Sequence, residues 1–213
     1  MPSVLSVNVG RPRPISYRGE QVMTGIFKQP VRGRIAARGT NLDGDEQGNP
    51  KVHGGLDKAI YAYSREDYAW WEEELAESME PGTFGENLTT TGLELNDALI
   101  GERWRVGTAL LEVSEPRFPC FKLGVRMGTQ RFVKRFAAAR RTGTYLRIRD
   151  EGEFGKGDSI DVVTRPDHGV TIGSFAEAYL GDRDRLDQLL AADQLSNEWR
   201  SWIEEQLRKR RQA

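Results

Sequence analysis

Cys120 is the single cysteine of the chain. It lies in Glu115-Pro116-Arg117-Phe118-Pro119-Cys120-Phe121-Lys122-Leu123, directly after a strand-like run. Pro116 and Pro119 fix backbone angles and make this segment a rigid turn. Arg117 and Lys122 bring cations toward the sulfur, which favours thiolate over thiol. A thiolate so placed is a nucleophile, a persulfide carrier or a soft-metal ligand, and the competing reading is a buried, inert cysteine. One cysteine excludes an internal disulfide and suits a reducing compartment.

A second candidate is His53-Gly54-Gly55-Leu56-Asp57-Lys58. Paired glycines let main-chain N–H groups approach a ligand closely, with His53 and Lys58 as flanking donors. The other histidine, His168, is far along the chain, so a His-rich zinc site is excluded. The third is Gly82-Thr83-Phe84-Gly85-Glu86-Asn87-Leu88, a tight loop of the kind Asn side chains stabilise. Neither glycine motif matches a Walker loop or a dinucleotide fingerprint. Tyr61, Tyr63, Tyr68, Trp70 and Trp71 read as core rather than as a stacking platform.

Charge is unevenly spread. The net charge is -1, yet ten basic residues between Arg117 and Arg149, Arg147 among them, stand without one intervening Asp or Glu. Such a segment is either a solvated face or a local anion site. No apolar run approaches the ~20 residues a membrane helix needs. The N-terminal residues lack the features of a secretory signal, and the expected location is the cytoplasm.

These residues must be held by a scaffold, and the hydrophobic pattern predicts one rich in strands. Val4–Val9, Gln21–Phe27, Ala59–Tyr63, Arg103–Val106, Ala109–Ser114, Tyr145–Arg149 and Ser159–Val163 read as strands, the fourth and fifth joined by a Gly107-Thr108 turn. Strands this dense point to an all-β barrel or sandwich rather than a parallel βαβ sheet. Two inserted helices are predicted, one capped by Ser64 and one over Gln130–Arg140 capped by Thr129. After Arg165-Pro166 the pattern becomes helical, with a Ser174/Glu177 capping box, an amphipathic Arg185–Ala192 stretch and a last helix capped by Ser196. The expected organisation is a domain over 1–165 and a three-helix domain over 166–213.

The motifs occur in an order that resembles a known family. His53-Gly-Gly-Leu-Asp-Lys, Gly82-Thr-Phe-Gly-Glu-Asn-Leu, Ile100-Gly101, Leu111-Glu-Val-Ser, Glu115-Pro-Arg-Phe-Pro-Cys-Phe-Lys-Leu, Thr142-Gly-Thr-Tyr-Leu-Arg and Gly157-Asp158 together resemble the YiiM branch of the MOSC domains. These take their name from the C-terminal domain of molybdenum cofactor sulfurases. The likeness covers roughly residues 1–165, and the tail resembles the extra helical domain of this branch.

The resemblance implies a mainly β fold, a closed β-barrel with a few inserted helices, and a cleft for the pyranopterin molybdenum cofactor. Cys120 matches the metal ligand and the catalytic centre. Lys58, Arg117, Lys122 and Arg147 become candidate contacts to the cofactor and its phosphate, with His53 and Asn87 positioning pterin or substrate. The implied activity is reduction of N-hydroxylated compounds such as hydroxylaminopurines and amidoximes. One cysteine cannot build a four-cysteine iron–sulfur cluster, so a separate electron-donor reductase is expected. No nucleic-acid polymer or membrane partner is expected, and a homodimer is left open. The alternatives are a Cys120 persulfide carrier, a pyridoxal-phosphate protein using Lys58 or Lys122, and a carrier that delivers the cofactor.

Overall fold

The computed structural model describes residues 1–48 and 54–212; His53 lies outside the described residues. Strand β1 (Ser3–Val9) is followed by the hairpin β2 (Arg13–Tyr17) and β3 (Glu20–Thr24), the short β4 (Gln29–Pro30), and the pair β5 (Arg34–Arg38) and β6 (Asn41–Leu42). A 3₁₀ turn at Leu56–Lys58 leads into β7 (Ile60–Ser64), helix α1 (Arg65–Leu75) and β8 (Leu88–Thr91). Next come β9 (Arg103–Val106), β10 (Ala109–Pro116), α2 (Phe121–Arg126), α3 (Arg131–Ala139), β11 (Thr144–Asp150), β12 (Gly152–Gly155) and β13 (Ile160–Thr164). The tail holds α4 (Ile172–Leu180), a 3₁₀ stretch at Arg183–Ala191 and α5 (Asn197–Gln212).

The main sheet has eight strands in the order β13-β9-β10-β11-β7-β8-β1-β4. The expected closed barrel is not what forms: the sheet is open, with β13 and β4 as its edges. One end of β1 meets the start of β13 through the isolated pair Ser3↔Ser159 and the backbone bonds Val4 N–H to Asp158 O, Gly157 N–H to Val4 O and Ile160 N–H to Pro2 O, a contact too short to make a ladder. The turn before β13, where Asp158 N–H donates to Gly155 O at 3.2 Å and Gly157 has φ 92°, breaks the extended run that a continuous ladder requires. The other end of β1 is taken by β4 through Asn8↔Pro30 and Val9↔Gln29. The sheet is also mixed, because β7 and β8 pair in parallel across the α1 crossover. A parallel pair needs such a crossover, and the helical stripe of Tyr68 and Trp71 supplies it.

The predicted strands are present, with one shortened. β3 stops at Thr24, because at Gly25 the chain closes onto the 46–48 loop so tightly that a Cβ would lie 2.2 Å from Glu46 O. Gly25 and Ile26 thereby leave the sheet and become wall. Helix α1 has the predicted cap, with Ser64 Oγ accepting from Asp67 N–H at 3.0 Å. In α4 the capping box sits three residues earlier than expected: Thr171 Oγ1 accepts from Ser174 N–H at 3.0 Å, and Ser174 Oγ accepts from Thr171 N–H at 2.9 Å. Helix α2 was not predicted, since six residues are too few to show a helical period.

Two apolar clusters hold the molecule. The larger joins Trp104, Leu111, Val113 and Leu146 of the sheet to Phe175, Leu186, Leu189 and Ile203 of the tail. The tail helices are short, so this shared burial, more than helix propensity, keeps them folded. The smaller cluster is aromatic: Tyr63, Tyr68, Trp71, Phe84, Phe132 and Phe136 pack between α1, α3 and the sheet. Trp71 and Phe136 stack with centroids 5.9 Å apart, and the Trp71 indole donates to Tyr63 Oη at 2.8 Å.

Gly143 links α3 to β11 at φ 62°, and a Cβ there would lie 2.4 Å from Ala62 O and 2.7 Å from the Tyr63 ring. Both the backbone angle and the contact exclude a side chain. Gly143→Ala is therefore expected to cost on the order of 3 kcal/mol, read as a lower denaturant midpoint with an unchanged slope.

Candidate functional site

Strand β10 is antiparallel to β11 along its length, and the register places Glu115 opposite Tyr145 and Pro116 opposite Thr144. The chain then leaves the sheet as Arg117–Cys120 and enters α2 at Phe121. Phe118 anchors the turn from the far side. Its ring lies 4.3 Å from Tyr179, 5.6 Å from Trp199 and 6.0 Å from Phe175, centroid to centroid, so α4 and α5 clamp the segment that presents the thiol. On the near side Tyr17, from the β2–β3 hairpin, stacks on Phe121 at 4.3 Å. Cys120 is thus half-buried and held between two aromatic contacts.

The thiol faces a cavity of about 640 Å³, its open mouth included. Lys58, Asn87, Arg117, Cys120 and Lys122 all line it, together with Tyr61, Tyr145, Lys28 and the 46–48 loop. Five of the seven residues singled out in the sequence are therefore brought together from segments more than 60 positions apart. Arg147 is not among them. Its guanidinium is bonded to Asp57, to Glu112 at 2.9 Å and to Gln194 O at 2.9 Å. It pins the tail to the sheet, with each of its three nitrogens bonded to the protein.

The individual roles follow from the contacts. Asn87 lines the cavity, but its amide is engaged with the protein. Its Oδ1 accepts from Tyr61 N–H at 3.2 Å, and its Nδ2 donates to Asn8 O at 3.2 Å and to Asp45 Oδ2 at 2.9 Å. It is a staple between β1, β7 and the 43–48 loop. Asp45 also pairs with Lys28, both buried, and accepts from Gly10 N–H at 2.8 Å. Burial lowers the Lys28 ammonium from the usual lysine range, although Asp45 pulls it back up. Neither Lys28 nor Asp45 was singled out in the sequence. Lys28 sits in an unremarkable loop, and only folding shows that it is buried.

Arg117 is different. It is 6% exposed, its Nη1 has no hydrogen-bond partner, and among the described residues no carboxylate pairs with it. Its guanidinium lies 5.4 Å from the Tyr61 ring centre and 5.5 Å from that of Phe136, which offers cation–π attraction but no counter-charge. Lys122 is buried to a similar degree, with no ion pair among the described residues, and burial lowers its ammonium while Cys120 raises it. Tyr145 is pushed up to about 12 by burial, against the opposing pull of Arg117. Two desolvated cations beside a thiol, with no protein anion to balance them, make a receptor for an anion attached to a soft-metal or sulfur-reactive group.

Uncompensated burial of a cation carries a cost that an anion would relieve. Arg117→Met is therefore expected to raise the unfolding midpoint of the unloaded protein by about 1–3 kcal/mol equivalent. Inorganic phosphate should raise the midpoint of the wild type but not that of the variant, both read by thermal denaturation.

Among the described residues no helix is long and apolar enough to cross a membrane, and no three His, Cys, Asp or Glu side chains group as a metal site. Residues 49–161 match the family model for the MOSC domain. The chain is 34% identical to the uncharacterized protein YflK of Bacillus subtilis (strain 168) over 202 residues, 93% of this chain and 91% of that one. It is 35% identical over 167 residues to a protein named Reductase from Gibberella moniliformis (strain M3125 / FGSC 7600), covering 76% of this chain but only 29% of that longer protein. The crystal structure of YiiM from Geobacillus stearothermophilus superposes with a TM-score of 0.81 at 31% identity, covering 97% of this chain and 100% of that one. On this match of motifs, sequence and fold, the chain belongs to the MOSC-domain family, in its YiiM-like branch.

Proposed function

We propose that this protein holds the pyranopterin molybdenum cofactor through Cys120 and reduces N-hydroxylated compounds with electrons from a separate reductase. The observation that carries the reading is the pairing, in one cavity, of a half-buried thiol with a buried guanidinium that no carboxylate neutralises among the described residues. Membership of the MOSC family and the name of the Gibberella relative support the same direction.

The residues present fit the group. A thiolate is a soft donor appropriate to molybdenum. Arg117 and Lys122 are the cations available for the terminal phosphate, Arg117 as a planar fork and Lys122 as a point charge. The cavity is open to solvent on one side, so a ligand can enter it. Tyr61 and Tyr145 give it aromatic walls. When bound, the cofactor supplies oxygen-atom transfer, accepting the oxygen of an N–O bond. The protein's own work is to hold and orient the ligands, to exclude water with the Tyr61 and Tyr145 side, and to manage protons. Arg147, engaged with Asp57 and Glu112, is left out of this set.

Molybdenum content and oxidised-pterin fluorescence test the reading, on wild type and Cys120→Ala from a host that loads a control molybdoenzyme. The expected result is near-stoichiometric metal and pterin in the wild type, and at least a tenfold loss of metal in the variant. Turnover of an amidoxime or a hydroxylaminopurine with added reductant should be lost in parallel. Absence of both metal and pterin from the wild type would end the proposal and leave the persulfide carrier as the reading of Cys120.

A further inference from the structure

Glu115 is the residue in the Cys120 segment that the proposed activity has not used. It lies 3% exposed at the end of β10, two residues before Arg117. Its Oε1 is 3.5 Å from the Lys58 ammonium, and Lys58 is a wall residue of the cavity that holds the thiol. The carboxyl is thus the buried inner member of a pair whose outer, partly exposed member lines the cavity.

We infer that Glu115 and Lys58 form the proton relay of the reduction: Lys58 donates to the substrate, and Glu115 recharges Lys58 from behind. This rests on the reductase reading given above. The overall reaction is R–NHOH + 2 e⁻ + 2 H⁺ → R–NH₂ + H₂O. The N–O bond breaks, the nitrogen is reduced, and the electron pair comes from a reduced flavin or iron–sulfur donor protein. The products require two protons, one on the departing oxygen and one on the nitrogen. Each comes from the Lys58 ammonium, to the nitrogen or to the departing oxygen, leaving an amine on Lys58 each time. The Glu115 carboxylic acid returns a proton to that amine, becomes carboxylate, and is reprotonated from solvent. Lys58 is the catalytic residue of the pair, because it alone faces the substrate space, and Glu115 acts through it.

The surroundings of Glu115 favour a protonated carboxyl at working pH. Burial pushes it up to about 7, against the pull of the Lys58 ammonium and the Trp199 indole. The other groups facing it are Asp57 from the 3₁₀ turn and Glu198 from α5, both raising it, and Tyr145 from β11. Catalytic acids work best with a pKa near the operating pH, and this one is set there by the fold. Since the acid form donates, the relay is fully charged well below pH 7 and is lost as pH rises through that value.

The test compares wild type, Glu115→Gln and Lys58→Gln as loaded enzyme, with molybdenum and pterin measured on every preparation. In wild type kcat should fall above pH 7. Glu115→Gln should lose that limb and drop kcat by about 10²-fold at pH 6, with KM and cofactor content unchanged. Lys58→Gln, partly exposed and so the safer variant for folding, should show at least the same loss. In unloaded protein, infrared difference titration should show one carboxyl C=O band with a midpoint near 7 that Glu115→Gln removes. A loaded Glu115→Gln enzyme with wild-type kcat and an unchanged limb would overturn the relay alone. A wild type without metal or pterin would instead overturn the reductase reading beneath it.

Discussion

Strand β10 has no freedom at its end. It is hydrogen-bonded to β9 and β11 along its core, and its last two residues still pair with β11, at Glu115↔Tyr145 and Pro116↔Thr144. The next four residues must then turn through Pro119 into α2, and Phe118 in their midst is gripped by Phe175, Tyr179 and Trp199. The position of the thiol follows from these constraints. A cysteine on an ordinary surface loop would sample many rotamers and distances, whereas here ladder, prolines and aromatic clamp set its direction before any ligand arrives. The tail helices are therefore part of the site's support, since α4 and α5 supply the clamp and Trp199 also lies near Glu115.

Electrostatics divides the basic segment into two kinds of residue. Arg135 pairs with Glu74 at 2.9 Å, Arg140 with Glu177 at 3.0 Å and Arg141 with Asp67 at 2.6 Å, while Arg147 and Arg149 converge on Glu112. These cations are spent on acids contributed by other parts of the chain, and they fasten α1 and α4 to α3 and its exit and the 3₁₀ turn to β11. Among the described residues, Arg117 and Lys122 remain beside the thiol without such partners. A buried cation left without its counter-charge is costly, so its persistence in a cavity wall is better explained by what binds there than by stability.

Much of this was legible in the one-dimensional pattern. Alternation over Arg103–Val106 and Ala109–Ser114, with Gly107 between, specifies a hairpin by local chemistry alone, and β9–β10 has that register. Ser64 and Ser196 specify helix starts for the same reason, because a cap is satisfied within three residues. The motifs taken in order pointed to the family and to five residues that meet in one cavity, since residue type and order survive where geometry is not yet known.

What needed the tertiary structure is whatever depends on contacts across long sequence separations. The barrel expectation failed because closure depends on how far β1 pairs with β13 before β4 takes its other end, and strand alternation carries no information about that. Arg147 was chosen for its motif, yet Asp57 and Glu112, 90 and 35 positions away, claim its donors. Lys28 and Asp45 were invisible because burial converts two ordinary surface charges into a fixed pair. Glu115 read only as the first letter of a cysteine motif, and its proximity to Lys58 and its raised carboxyl arise from desolvation by elements that come together only on folding. The sequence by itself determined the local elements, the thiol and its cationic neighbours, because those are set by residue type and short spacing. Which charges are neutralised, which are left facing a ligand, and whether the sheet closes were decided by tertiary packing, because each is a competition among partners far apart in the chain.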